Sequence, residues 1–256
     1  TSDVMIDRPH SSLAPHRPRP GPGLVVSAET VHAQEEEEEQ QGRRAGFVPS
    51  LAKGLKTTHT EGGGADWFGL APHGYATSHL DALCHIFLDD KMYNGYPATD
   101  VTVNGAKQLG IEHVRDKMVG RGVLLDIARW KGVDSLDDGY AITNADLDGC
   151  AAAQGVEIRK GDFVIFRTGH QERCLAAQDW TGYAGGDAPG VAFETAHWIK
   201  KHDIAAICAD TWGCEVRPNE TDEAYQPWHW VVIPAIGISM GEIFYLKELA
   251  ADCADD

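Results

Sequence analysis

Three histidines and an aspartate fall within the short segment His73-Gly74-Tyr75-Ala76-Thr77-Ser78-His79-Leu80-Asp81-Ala82-Leu83-Cys84-His85. Neutral imidazoles and a carboxylate together suit a borderline divalent cation such as Zn²⁺ or Mn²⁺. In an extended chain His79 and Asp81, two residues apart, project from the same face and can reach one ion. His85 can fold back over that ion if the chain turns helical after Asp81. The spacing alone also admits a plainer reading, in which His79 bonds to backbone carbonyls in a loop and Asp81 opens a helix.

The segment resembles the signature of the cyclase-type metal-dependent hydrolases, the group that includes isatin hydrolase and bacterial kynurenine formamidase, whose pattern runs His-x-Gly-Thr-His-x-Asp-x-Pro-x-His. His79, Asp81 and His85 occupy the second, third and fourth functional positions, and Tyr75 stands at the first. Thr77 replaces the pattern's Gly, Ser78 its Thr and Leu83 its Pro. The likeness continues through Lys91-Met92-Tyr93-Asn94-Gly95-Tyr96-Pro97, Gly122-Val123-Leu124-Leu125-Asp126 and Gly161-Asp162. It implies that His79, Asp81 and Glu242 hold a metal ion. His229 is then a further ligand or a donor to a developing oxyanion, and His85 the proton-transfer group. A phenol is a poorer ligand than an imidazole, so Tyr75 points to one ion where the family pattern provides for two.

The resemblance also implies the chemistry: hydrolysis of an amide or ester bond in a small cyclic or aryl substrate, such as a cyclic amide, aryl formamide or lactone. The departures from the pattern keep two alternatives in view, a metal-dependent cyclase or lyase and a non-catalytic small-molecule binding protein. Asp210, at the carboxyl end of an apolar run, is a further ligand candidate or a turn cap. His59 and His73 carry weaker signals. Trp67, Phe68, Tyr93, Tyr96, Trp180, Tyr183 and Trp212 stand in loop-like segments and could wall a flat substrate or pack as satellite core.

These residues need a scaffold, and 256 residues with 43% hydrophobic and 24% charged side chains match an ordinary globular chain, which excludes global disorder. Residues 8–23 hold five prolines and read as an extended arm, so the expected organisation is an arm over residues 1–23 and one metal-hydrolase domain over 24–256. Glu35 to Glu39 belong to an acidic loop, residues 34–44. With 22 basic against 39 acidic residues the formal charge is −17, which repels phosphate backbones and argues against nucleic acid as a partner. No stretch approaches the roughly 20 apolar residues of a membrane span, and no apolar signal core opens the chain; the expected location is cytoplasmic. The six cysteines form no Cys-x-x-Cys pair, which suits neither a zinc ribbon nor a disulfide scaffold. The arm and the resemblance together imply a homodimer or higher closed homo-oligomer.

Short apolar runs predict strands at Val123–Ile127, Phe163–Phe166, Ile204–Ala209 and Val231–Ile233, buried on both faces. Residues 54–60 have strand character ahead of a Gly62-Gly63-Gly64 loop. Thr143-Asn144-Ala145-Asp146 reads as a capping box that opens a helix through Leu147, Cys150 and Ala151, and a second helix is expected over 191–202 with Phe193, Ala196 and Ile199 on its buried face. The fold class is therefore α/β: a mixed β-sheet, partly curled into a barrel and flanked by helices, of the swivelling β/β/α kind that the resemblance implies.

Overall fold

The computed structural model describes His73 and residues 77–255. The proline-rich arm, the acidic run, the expected strand over 54–60, the glycine run, His59, Trp67, Phe68 and Tyr75 lie outside the described residues.

The framework is a five-stranded mixed sheet. Its strands are β1 (His79–Asp81), β2 (Gly122–Asp126), β3 (Phe163–Arg167), β4 (Ala206–Ala209) and β5 (Ser239–Glu242), in the spatial order β1-β5-β4-β3-β2. β1 runs antiparallel to β5, and the remaining neighbours are parallel. The sheet is open, with β1 and β2 at its edges, so the expected curl towards a barrel does not close among the described residues. The helices are α1 (Ile127–Trp130), α2 (Asn144–Ala153), α3 (His170–Ala177), α4 (Thr195–His202), α5 (Pro227–Val231) and α6 (Lys247–Asp255).

Alternation along the strands explains why both faces are covered. Val123, Leu125, Val164, Phe166, Ile207, Ala209 and Met240 form one core with Leu147 and Cys150 of α2, Trp198 and Ile199 of α4, and Trp228 of α5. Leu124 faces the other way and packs with Leu246 and Ala250 at α6, supported by Ile165 and Leu249. Helices on both faces are what a parallel sheet requires, and here the crossover helices α2, α4 and α5 cover one face and α6, after the last strand, covers the other. Among the described residues no helix is long and apolar enough to cross a membrane.

Local signals set the helix ends. Thr143 Oγ1 accepts the Asp146 N–H and Asp146 accepts the Thr143 N–H, completing the expected capping box of α2. Asp126 ends β2 and accepts the Arg129 N–H at 3.1 Å, so Ile127 opens α1 where the sequence pattern extended the strand. The helix expected from 191 begins at Thr195, because Gly190 and Val191 pair in parallel with Ala141 and Ile142. Phe193 is consequently 44% exposed, and Trp198 takes its place beside Ala196 and Ile199.

One expected strand is a helix. Val231-Val232-Ile233 continues α5 into a π-helical turn over Val232–Ile236. Pro227 at its first turn fixes a helical φ, and Trp228, Val232 and Ile233, at helical spacing, are all buried in the core. Gly237, at φ 83°, ends this turn; a Cβ there would lie 2.4 Å from the Tyr93 ring.

Candidate metal centre

The pairing of β1 with β5 builds the site. His79 stands opposite Glu242 and Asp81 opposite Met240, so the strand period of two places His79, Asp81 and Glu242 on one face at the sheet edge. The intervening pair is Leu80 and Gly241, where a Cβ on Gly241 would lie 2.5 Å from Cys208 Sγ. α5 brings His229 to the same place. Beyond Asp81 the chain turns, with the His85 N–H donated to Ala82 O at 2.9 Å, and returns the His85 ring flat against His73 at 3.8 Å between centroids and 4° between planes.

The donor atoms converge. His79 Nε2 lies 3.4 Å from both Asp81 Oδ1 and Glu242 Oε2, and His229 Nε2 lies 3.1 Å from Glu242 Oε1. His73 Nδ1 adds a contact of 3.1 Å to Asp81 Oδ1. Two overlapping sets result, His73–His79–Asp81 and Asp81–His229–Glu242; within each set the ligand atoms are all within 4.8 Å of one another. Asp81, His229 and Glu242 are buried. Yet His79 Nε2 and both oxygens of Asp81 have no hydrogen-bond partner of ordinary geometry among the described residues.

That combination fits a cation. Donors seated ~2.1 Å from one tetrahedral ion stand about 3.4 Å apart and point at the ion, not at one another. Buried polar atoms left without partners are otherwise rare and costly. Imidazole nitrogens with two carboxylates match Zn²⁺ or Mn²⁺.

The backbone after Glu242 is held under strain. Ile243 adopts φ 61°, a left-handed conformation that a β-branched residue avoids at a cost on the order of 1–3 kcal/mol. Its N–H is donated to Thr211 O at 3.0 Å, and its carbonyl accepts Ser78 Oγ–H at 2.6 Å and a Gln171 amide N–H at 3.3 Å. These three bonds tie β5, the loop after β4, α3 and the motif strand together next to Glu242.

The charges of the site reinforce one another. The nearby carboxylate of Asp81, then that of Glu242, outweighs burial and pushes His79 up to about 10. Burial lowers His229, but Glu215 and Glu242 outweigh it and raise it to about 9. Burial would raise Asp81, but His73 and His79 hold it well below the usual carboxylate range. His85 goes the other way, depressed by burial with only partial compensation from Asp81.

A consequence for stability follows. An imidazole raised above its unfolded value near ~6.5 stabilises the fold fully below that pH and ceases to do so as pH climbs through its folded value. The metal-free protein is therefore expected to melt at progressively lower temperature from about pH 7 towards pH 10, a window set by His79 and His229. A bound cation replaces those protons and flattens the trend. Melting curves with and without chelator check this; a metal-free melting temperature that rises across the window would contradict it.

The structure thus brings His79, Asp81, His229 and Glu242 together, with His85 beside them but in neither ligand set. Asp210 is elsewhere employed: it accepts the Thr168 N–H, the Thr168 hydroxyl and the Gly169 N–H, and burial raises it to about 6, the mark of a turn anchor. One residue carried more than its sequence signal suggested, and one escaped sequence reasoning. His73 lies in the motif segment, two residues from the position where the family pattern has its first histidine. Glu215, buried at 3% exposure with Oε1 2.5 Å from His229 Nδ1, carries no local pattern that could have marked it. Of the aromatic candidates, Tyr183 and Trp212 are satellite core with Ala188 and Ile243. Tyr96 lines a cavity of about 250 Å³ with Leu83, Leu109, Ile111 and Val114, and none of the candidate ligands borders it.

Comparison with known proteins places this geometry in context. The family model for cyclases matches residues 52–216, a span that ends before His229 and Glu242. A crystal structure of a novel cyclase is 32% identical, with 83% of this chain and 70% of that chain covered and a TM-score of 0.67. An isatin hydrolase bound to the product analogue thioisatinate shares the fold at 16% identity, covering 87% of this chain and 88% of that one, with a TM-score of 0.52. Isatin hydrolase A from Labrenzia aggregata, bound to benzyl benzoate, is 19% identical over 68% of this chain, with a TM-score of 0.49, and the chain spans 62% of its length. No curated protein matches. By the family match and the 32% identical relative, the chain belongs to the cyclase family.

Proposed function

We propose that this chain is a metal-dependent hydrolase that cleaves an amide or ester bond in a small cyclic or aryl substrate: a cyclic amide, an aryl formamide or a lactone. One observation carries the reading. Four buried or nearly buried donor residues are linked by contacts of 3.1–3.4 Å, from Asp81 to His79, His79 to Glu242 and Glu242 to His229, while His79 Nε2 and both Asp81 oxygens lack a hydrogen-bond partner of ordinary geometry among the described residues. Membership in the cyclase family and the fold shared with an isatin hydrolase support it.

In this reading His79, Asp81 and Glu242 hold one Mn²⁺ or Zn²⁺, with His229 as a further ligand. The ion supplies Lewis-acid polarisation of the scissile carbonyl and a lowered pKa for water. His85 does the proton work. Burial depresses its pKa, so at neutral pH the ring is uncharged and can accept a proton at nitrogen, then return it to the leaving nitrogen or oxygen. Stacking on His73 fixes the plane of that ring. The partner is a small molecule, and the same reading includes a homodimer or higher closed homo-oligomer, which light scattering reports directly.

The metal-loaded protein incubated with panels of cyclic amides, aryl formamides and lactones, with product masses recorded, tests the activity. Gain of one water by a substrate is the expected result. Isomerisation or loss of water would instead establish a lyase or cyclase, and absence of turnover across the panels a binding protein.

A further inference from the structure

Glu215 lies in the turn after β4, beneath the start of α5. Its Oε1 accepts the His229 N–H at 3.1 Å and contacts His229 Nδ1 at 2.5 Å. Its Oε2 accepts the Trp228 N–H at 3.3 Å and an Asn219 amide N–H at 3.0 Å. Asn219 is itself fixed: its Oδ1 accepts Arg217 Nη1–H at 2.6 Å and the Gln226 N–H at 2.9 Å, and its amide also donates to Val216 O at 3.0 Å. The two oxygens of Glu215 therefore meet four donors in a buried setting.

A carboxylate in that position is an acceptor, so the proton on the His229 ring resides on Nδ1. Nε2, across the ring, then faces Glu242 Oε1, 3.1 Å away. That contact needs a positive charge between the two atoms, a second ring proton in the metal-free protein or a divalent cation in its place. The backbone contacts of Glu215 would serve merely to cap the short helix α5; the contact to Nδ1 is one that capping does not need.

We infer that Glu215 is a positioning residue, which fixes His229 in the tautomer and ring orientation that offers Nε2 to a divalent cation shared with Asp81 and Glu242. The inference rests on the metal reading above and adds a residue outside the sequence motif. A carboxylate behind a ligating histidine raises its basicity and locks its orientation, and losing one lowers metal affinity roughly 10- to 100-fold.

The test uses the full chain and Zn²⁺ or Mn²⁺ alone, with affinity read by competition against a chromogenic chelator. Glu215→Gln should weaken binding roughly 10- to 100-fold and should have no further effect in a His229→Ala background. In the zinc-loaded parent protein, nitrogen NMR of the imidazoles should show His229 protonated at Nδ1 and coordinated through Nε2. This spectrum decides the matter even if Glu215→Gln fails to fold, and Glu215→Asp, which keeps the charge, should bind more tightly than Glu215→Gln. Unchanged affinity in Glu215→Gln, an equal loss in both backgrounds, or coordination through Nδ1 would overturn the assignment alone. Failure of the parent protein to bind either metal would overturn the metal reading and this inference with it.

Discussion

Replacing His85 with alanine is expected to lower the turnover number by roughly 10²-fold or more, the scale for removing a general base, while the metal content stays near that of the parent protein. The separation of effects follows from position. His85 belongs to neither set of mutually close ligand atoms, and it packs against His73 beside the ion's seat. Its pH behaviour is a second readout of the same role. A base must be unprotonated to act, and burial lowers the pKa of His85 below the ordinary imidazole value. Hydrolysis should therefore fall off on the acid side with a midpoint below ~6.5, and that limb should vanish in His85→Ala. Loss of the ion together with activity would reassign His85 as a ligand.

Asp81→Ala should behave in the opposite way, with activity and metal occupancy falling together. Asp81 is 1% exposed, appears in both ligand sets, and supplies two oxygens that have no other hydrogen-bond partner among the described residues. Without it His79 loses the largest influence that holds positive charge at its ring, and Glu242 is the one carboxylate left among the candidate ligands. Activity should return in part at high added metal, because the loss is one of affinity and the proton-transfer group is intact. Titrating activity against added Zn²⁺ or Mn²⁺ checks this. A variant that keeps its ion through chelator-free purification would show that Asp81 does not face the metal.

How much of this was legible in the sequence depends on whether the signal was local. His79 and Asp81 share a face because a strand alternates every residue, and two positions suffice to read that. Glu242 and His229 became candidates only through resemblance, since no local pattern says that β5 pairs with β1 in a register that sets Glu242 opposite His79. The parallel strands showed themselves as apolar runs, and the helix α2 through its capping box. Val231-Val232-Ile233 misled because a short β-branched run has no period that separates a strand from a buried helix. Pro227 at the first turn of α5 was the available contrary signal. Asp210 sat at a strand end, where ligand sites and turn anchors use the same residue type, and only its three donors from Thr168 and Gly169 distinguish them. Glu215 was invisible because its role exists only once α5 folds over it.

The most direct test of the central claim is the metal content of the full chain, measured by elemental analysis after mild purification and again after reloading a chelated sample, with activity followed in parallel. The account predicts one Mn²⁺ or Zn²⁺ per chain, lost on chelation together with activity and regained with it. No stoichiometric ion under any loading condition would contradict it, as would two ions per chain, the second seated at His73, His79 and Asp81.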